Sequence, residues 1–267
     1  MSPVSPRRPI AGILFAGLLA FSTAWAAAPE AIHIITPEWE GQTNKDGTGL
    51  FFEIVRGACE PAGIQVVYRF APWKRCQETV KKGKADAMLC VWEEHAREEG
   101  QLIPRYPMFV EYTVAVRKGG RMSDWKGVAT LDGKKAVWLR GYDYHTFSHF
   151  SDIAFSHRAE VDNYDLAWRM LDHDRADVYI DALIDVKKYI AGHDLDMTPY
   201  RLEILWGENA YVAFGDTEKS RRLIPVFNRN MKTLYESGRL KAIFERWDAA
   251  FDPSIWEPLI HAETLDP

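Results

Sequence analysis

The sequence predicts an α/β protein of two similar lobes, each an open, mostly parallel sheet flanked by helices, joined by a two-strand hinge. Three observations carry the prediction. Apolar runs of strand length alternate with helical periodicity, the alternation occurs twice, and two extended segments bracket its second occurrence.

Residues 31–36 (AIHIIT) read as the first strand. DGTG at 46–49 is turn material, and Leu50, Ile54, Val55 and Ala58 then share one face of a helix that Gly63 ends. A second strand follows at 64–70 (IQVVYRF), Pro72 opens a helix running to Val80, and 85–91 form a third strand whose alternation sets Met88, Cys90 and Trp92 on one side. After a longer extended segment at 108–117 (MFVEYTVAVR), the grammar repeats. It runs through a strand at 135–139, a short helix at 144–150, a strand at 158–161, a helix centred on 166–171 and a strand at 177–180. The halves share a phrase: a tryptophan-bearing helix runs into KADAML at 84–89 in one and into RADVYI at 175–180 in the other. Extended segments at 200–206 and 209–214 precede a helical pattern at 218–251 that breaks near Gly238. The extended segments bracketing the second half send the tail back to the first. The expected division is therefore lobe 1 over 27–112, lobe 2 over 113–206, and a return to lobe 1 with the C-terminal helices over 207–267.

Residues 1–26 stand apart. Arg7 and Arg8 precede an apolar run from residue 10 to 21 and the small residues Ala24 and Ala26, the pattern of a secretory signal peptide cleaved after Ala26. The expected location is the periplasm, and no later stretch is apolar enough for a membrane span. With 47% hydrophobic and 27% charged residues the remainder is an ordinary globular chain, expected as a monomer. Cleavage takes away two arginines and no acid, which moves the net charge from −5 to about −7 and disfavours nucleic acid as a partner. Cys59, Cys76 and Cys90 allow at most one internal bridge. Cys59 and Cys76 fall on separate helices and are not expected to pair, and Cys90 ends an apolar run as a small buried residue would.

Ligands of open α/β sheets bind at the carboxyl ends of the strands, so the loops there are where chemistry is sought. Trp39, in the loop PEWEGQTNKDGTG, either packs on its own loop or offers a flat face to a ring or a cation; Trp73, in a first helical turn, either caps core packing or borders the cleft. Cys90 and Trp92 end the third strand. Arg97 follows Glu93 and Glu94, either as a solvated charge paired with one of them or as a guanidinium fork for a carboxylate. In LRGYDYHTF at 139–147, Gly141 lets a ligand approach the backbone beside Tyr142, whereas Asp143 can cap the helix start and would repel an anion there. Asp181 and Asp185 follow the last strand of the second half; an acid there can grip an amine, or serve as an N-cap and a surface charge. His145 and His149 stand four apart but lack a third ligand at a convincing spacing, His157 being only a loose candidate, so neither a metal nor any other cofactor is expected. Serine-hydrolase, zinc-protease, phosphate-loop and CxxC signatures are absent.

Taken in order, DGTGL at 46–50, PWKR at 72–75, the phrase from GKAD at 83–86 to Arg97, and Gly141-Tyr142 after the fifth strand make the chain resemble the bacterial extracytoplasmic solute-binding proteins of family 3. These are periplasmic amino-acid-binding proteins of the type II periplasmic binding fold that serve ABC importers, and the resemblance covers nearly all of the chain after residue 26. It implies a carboxylate-binding arginine at Arg97, strand-end contacts at Cys90 and Trp92, and a stacking aromatic near Trp39. Two positions depart from the pattern. Asp143 stands where such proteins place a small hydroxyl residue, and Ala182 stands at the amine-binding acid, with Asp181 one position early. The implied function is capture of a small polar solute, an amino acid or related compound, for an ABC permease or a membrane sensor. The alternative on a similar fold is a dehydratase of cyclohexadienyl acids with Glu93, Asp143 or Asp181 as general acid.

Overall fold

The computed structural model describes residue 1 and residues 30–263, and the expected signal peptide and its cleavage site lie outside the described residues. Eight strands, β1 (Ala31–Thr36), β2 (Gln65–Phe70), β3 (Ala87–Trp92), β4 (Phe109–Lys118), β5 (Lys135–Leu139), β6 (His157–Val161), β7 (Val178–Ala182) and β8 (Tyr200–Phe214), form one sheet in the order β2-β1-β3-β8-β4-β7-β5-β6. At each end of the sheet, three strands repeat one parallel unit: β1 between β2 and β3, and β5 between β6 and β7. The antiparallel pair β4 and β8 lies between the two units and is the expected hinge. The two extended segments read at 200–214 are one continuous strand.

Helices α1 (Leu50–Cys59), α2 (Trp73–Lys81) and α3 (Glu93–Glu98) follow the first three strands, and α4 (Tyr164–Asp172) and α5 (Leu183–Gly192) flank β7. The tail forms α6 (Glu218–Glu236), α7 (Arg239–Arg246) and α8 (Glu257–Glu263), with the break at Gly238 where φ is 73°. It packs against the first half of the chain: Asn230 Nδ2 donates to Ala58 O at 2.7 Å, and Trp256 Nε1 donates to Pro107 O at 2.9 Å. The helix expected at 144–150 is instead two separate 3-10 turns, Tyr144–Thr146 and Ser148–Phe150. His145 stacks on Trp138 and His149 on Trp206, so the two rings serve different packing faces. All three cysteines are buried free thiols.

The repeated phrase has a mechanical reading. In the first lobe Asp86 N donates to His33 O at 2.8 Å, while the Asp86 carboxylate accepts from His33 N at 2.7 Å. In the second lobe Asp177 N donates to Lys135 O at 2.8 Å, and its carboxylate accepts from Lys135 N at 2.9 Å. Each aspartate thus clamps the incoming end of the central strand of its unit to the strand it precedes. Asp86 also holds the Lys219 ammonium at 2.6 Å, which ties α6 to the same corner.

Asp177→Ala is expected to cost about 1 kcal/mol, the net worth of one such hydrogen bond. Asp86→Ala should cost more, because Lys219 loses a partner at 2.6 Å, whereas Arg121, 3.6 Å from Asp177, keeps Asp174 at 3.1 Å. The two losses should add, as the clamps lie in different lobes. Urea unfolding of the two single variants and the double variant checks this; a double variant no less stable than either single one would refute it.

Candidate functional site

The loop between β1 and α1 folds back on the helix it precedes. Leu50 N and Phe51 N donate to Gly41 O and Gln42 O, each at 3.0 Å, so the first amides of α1 are spent within the chain. Gly49 permits that return: its φ is 127°, and a Cβ there would run into the Gln42 carbonyl. The loop is pinned further by Trp39 N donating to Thr43 Oγ1 at 2.9 Å. Held in this way, Trp39 and Gln42 reach the second lobe: Trp39 Nε1 donates to Tyr142 Oη at 3.1 Å, and Gln42 Nε2 to Asp185 Oδ1 at 2.9 Å.

The end of β3 departs from the expected alternation. Its register against β8 slips between Met88 and Val91, and Cys90 sits in the left-handed region at φ 60°. Met88 and Val91 consequently pack with Cys76 and Val80 of α2, whereas Leu89, Cys90 and Trp92 face the core on the other side of the sheet. A non-glycine residue in that conformation costs about 1 kcal/mol or more. The bulge turns the Cys90 thiol toward Glu111 on β4, where it donates to Oε2 at 3.0 Å.

Around these groups lies a cavity of about 60 Å3, space for several waters or one small organic group. Seven aromatic side chains form a closed circuit about it. Trp39 meets Trp73 (6.0 Å between ring centroids), Trp73 meets His95 (6.2 Å), and His95 meets Phe147 (5.9 Å). Phe147 meets Trp92 (4.7 Å), Trp92 meets Tyr144 (6.4 Å), and Tyr144 meets Tyr142 (6.0 Å). The hydrogen bond from Trp39 to Tyr142 closes the ring. Gln42, Cys90, Glu111, Ala182, Ile184 and Asp185 complete the lining, which contains no lysine or arginine among the described residues.

The acids are out of balance. Burial pushes the Glu111 carboxyl up to about 7, with Asp181 adding to the rise and hydrogen bonds from Cys90 and Trp92 holding it back; Glu111 keeps some accessible surface because it borders the cavity. Asp181 lies behind the lining, within β7. It accepts from Tyr179 Oη and, at 2.8 Å, from Ala182 N, yet burial still raises it to about 7. Asp185, in the first turn of α5, is raised well above the carboxylate range by burial, Asp181 and Glu111, against the pull of Gln42 and Lys188. Burial also holds the Tyr142 and Tyr144 hydroxyls and the Cys90 thiol protonated, and it lowers His95, whose ring contacts the Gln77 amide, toward the neutral imidazole.

Polar contacts between the lobes surround this space. Besides the bonds of Trp39 and Gln42, Lys74 pairs with Asp143, and Ser148 Oγ donates to Glu94 Oε2 at 2.8 Å. With Trp92 and His95 packed on Phe147, the two lobes are in contact, and the structure is a closed form.

Of the residues singled out in the sequence, Trp39, Trp73, Cys90, Trp92 and Tyr142 are brought together around the cavity. Four others are not part of its lining. Arg97 is turned outward, its side chain 75% exposed and its guanidinium 2.9 Å from Glu93, because α3 starts directly after Trp92 and its inward face passes through Ala96. Gly141 makes room for Lys74: at φ 84°, its missing Cβ would stand 3.3 Å from Lys74 Cγ. Asp143, also left-handed at φ 49°, caps nothing and instead pairs with Lys74 at the rim. Asp181 stands behind Ala182. Gln42, His95, Glu111, Tyr144, Phe147 and Ile184 were not expected in the lining, while Asp185, read as either a grip for an amine or a surface charge, is part of it. Two of these had a signal, since Glu111 is the lone acid in an apolar strand and 142–150 is dense in rings. As for the acids of the enzyme alternative, Glu93 is engaged with Arg97 and Asp143 with Lys74 at the surface, and Asp181 is enclosed.

The family model for bacterial extracellular solute-binding proteins, family 3, matches residues 35–250. No curated relative matches the sequence. Among solved structures, the chain is similar to an ancestral arginine-binding protein bound to arginine (TM-score 0.66, 18% identity, covering 83% of this chain and 99% of that one). It is also similar to the substrate-binding protein of an ABC uptake transporter from Streptococcus pneumoniae with bound histidine (TM-score 0.61, 18% identity, 81% and 92%). A histidine kinase sensor domain with similarity to periplasmic binding proteins matches at a TM-score of 0.64 and 17% identity, covering 82% and 96%. At these identities the likeness is one of fold.

The raised acids set a sign for stability. Between about 4.5 and about 7 the folded protein retains a proton on Glu111 that the unfolded chain has released, so stability without ligand falls as pH rises across that window. Glu111→Gln should raise the urea midpoint above pH about 7 and leave it nearly unchanged below about 4.5. An equal shift at both pH values would rule out the burial of this carboxyl as the cause.

Proposed function

The chain belongs to the bacterial extracellular solute-binding proteins, family 3, and on that premise we propose that it works in the periplasm, capturing one small solute between its lobes. The closed form is what an ABC permease or a membrane sensor reads. The observation that carries this reading is that contacts between the lobes surround a small ring-lined cavity, so whatever fills it touches both lobes at once. Such a ligand favours closure by its differential contact with the closed form. Trp39, Trp73, Cys90, Trp92 and Tyr142 are the ligand contacts retained from the sequence, and Gln42, Glu111, Tyr144, Phe147 and Asp185 join them. Lys74 and Asp143 act as a latch at the rim. No helix among the described residues is long and apolar enough to cross a membrane, which fits export of the domain whole.

Native mass spectrometry of protein purified from the periplasm without denaturant should show one small solute per chain, lost after unfolding in urea and refolding. Stripped protein should be more expanded in small-angle scattering and should contract when a metabolite extract is added. Asp143→Asn should weaken capture about two- to fivefold, the scale of a half-exposed ion pair. Absence of any bound solute, together with identical scattering with and without extract, would overturn the reading.

A further inference from the structure

We propose that the solute is a small organic cation without a carboxylate of its own, its amine, quaternary ammonium or guanidinium head group held inside the aromatic circuit against Glu111 and Asp185. The inference rests on the solute-capture reading above and narrows the ligand to one chemical class.

The cavity holds acceptors of positive charge and no receptor for negative charge. Two carboxyl groups border it from different elements, Glu111 from β4 and Asp185 from α5, with Asp181 of β7 behind them. The ammonium groups nearest to hand are engaged outside it: Lys74 pairs with Asp143, and Lys188 lies over Gly41. His95, the ring that could carry a proton, is held neutral by burial. Arg97, the guanidinium that the family resemblance assigns to a ligand carboxylate, faces solvent with Glu93.

The amides that open α1 offer no substitute, being bonded to Gly41 O and Gln42 O, and the first turn of α5 carries Asp185 itself. A ligand carboxylate in this space would meet carboxyl groups, the negative faces of rings and neutral donors such as the Tyr144 hydroxyl, with no cationic side chain in the lining to balance its charge.

A cation meets the reverse. Ring faces attract a desolvated cation, and a closed set of them is the arrangement that recognises quaternary ammonium and guanidinium groups. The same cation supplies the charge that the carboxyls lack. Buried carboxyls without a counter-ion retain protons, so a cation arriving below pH about 7 displaces a proton from the acid group and binds more tightly as pH rises through that value. The groups facing Glu111 and Asp185 are Cys90 on β3, Tyr142 and Tyr144 on the turn after β5, Asp181 on β7, and Gln42 and Lys188 at the margin. The thiol and hydroxyls among them stay protonated, which leaves the acids as the titrating set.

The test uses matched pairs of probes that differ by one carboxylate: agmatine against L-arginine, choline against glycine betaine, histamine against L-histidine. Isothermal titration calorimetry and tryptophan fluorescence on stripped protein, above pH about 7, should find the carboxylate-free member at least tenfold tighter in the pair that fits the cavity. Glu111→Gln and Asp185→Asn should each weaken that binding at least tenfold. Glu111→Gln should at the same time raise the thermal midpoint of the ligand-free protein, opposite signs that a folding defect does not produce. If no carboxylate-free cation binds, or the carboxylated member binds as well or better in every pair, the cation class is wrong. Solute capture itself stands or falls separately, on the native mass spectrometry.

Discussion

The antiparallel pairing of β4 with β8 governs what the rest of the molecule can do. Their register runs from Phe109 opposite Ala210 to Lys118 opposite Tyr200, with one slip between Thr113 and Val114, so a single ladder crosses from one parallel unit to the other. Both units inherit their orientation from this ladder, and the loops at their strand ends are brought face to face. The crossing strand also passes beneath the cleft, which is how Glu111 comes to border a space otherwise built from the ends of β3 and β7, loops and short helices. Twisting a two-strand ladder disturbs few packed side chains, whereas sliding one sheet past another would break many. The lobes therefore have one inexpensive relative motion, a bend that opens and closes the space above Glu111.

Closure brings together groups that oppose one another. The aromatic circuit joins the core around α1 to that around Trp138 into one apolar cluster, and this favours contact. Contact also encloses Glu111, Asp181 and Asp185, which resists it as long as they must ionise. Local conflict of this kind, where the surrounding fold is otherwise consistent, is characteristic of a site retained for something other than stability. The left-handed Cys90 belongs to the same economy: backbone strain there turns a protonated thiol toward a carboxyl that needs a donor.

The fold was legible in the sequence wherever periodicity had a phase. Strand β2 alternates between half-buried and exposed positions, and helices α1, α2, α4 and α6 each bury one face, in ways that apolar patterning records. β3 is buried along its whole length, so no polar residue fixes which side faces which, and the slip at Cys90 leaves no trace in the residue types. Helix α5 follows β7 with no intervening breaker, which hid both the helix and the inward aim of Asp185. For Arg97 the charge was evident but not its rotational position about α3, since that depends on the helix starting at Glu93. Five of the cavity residues were legible as tryptophan, tyrosine and cysteine at a strand end, in the loops after strands and at the start of α2. The circuit they belong to was not, because it closes only where Trp92 and His95 of the first lobe meet Tyr144 and Phe147 of the second.

The circuit of rings has a kinetic side as well. An aromatic side chain has two rotatable torsions, and several of these rings are already held by a neighbour within their own lobe, as Trp39 and Trp73 are and as Tyr142 and Tyr144 are. Little side-chain entropy remains to be lost when the cleft shuts, in contrast to a wall of lysine, arginine or methionine. The wall meets its solute nearly rigid, so the barrier to opening is set by the contacts made and not by the disorder regained. Under the proposed solute-capture function, residence time in such a site would scale with the solute's own fit, and a poorly matched occupant would leave before the proposed membrane partner engaged the closed form.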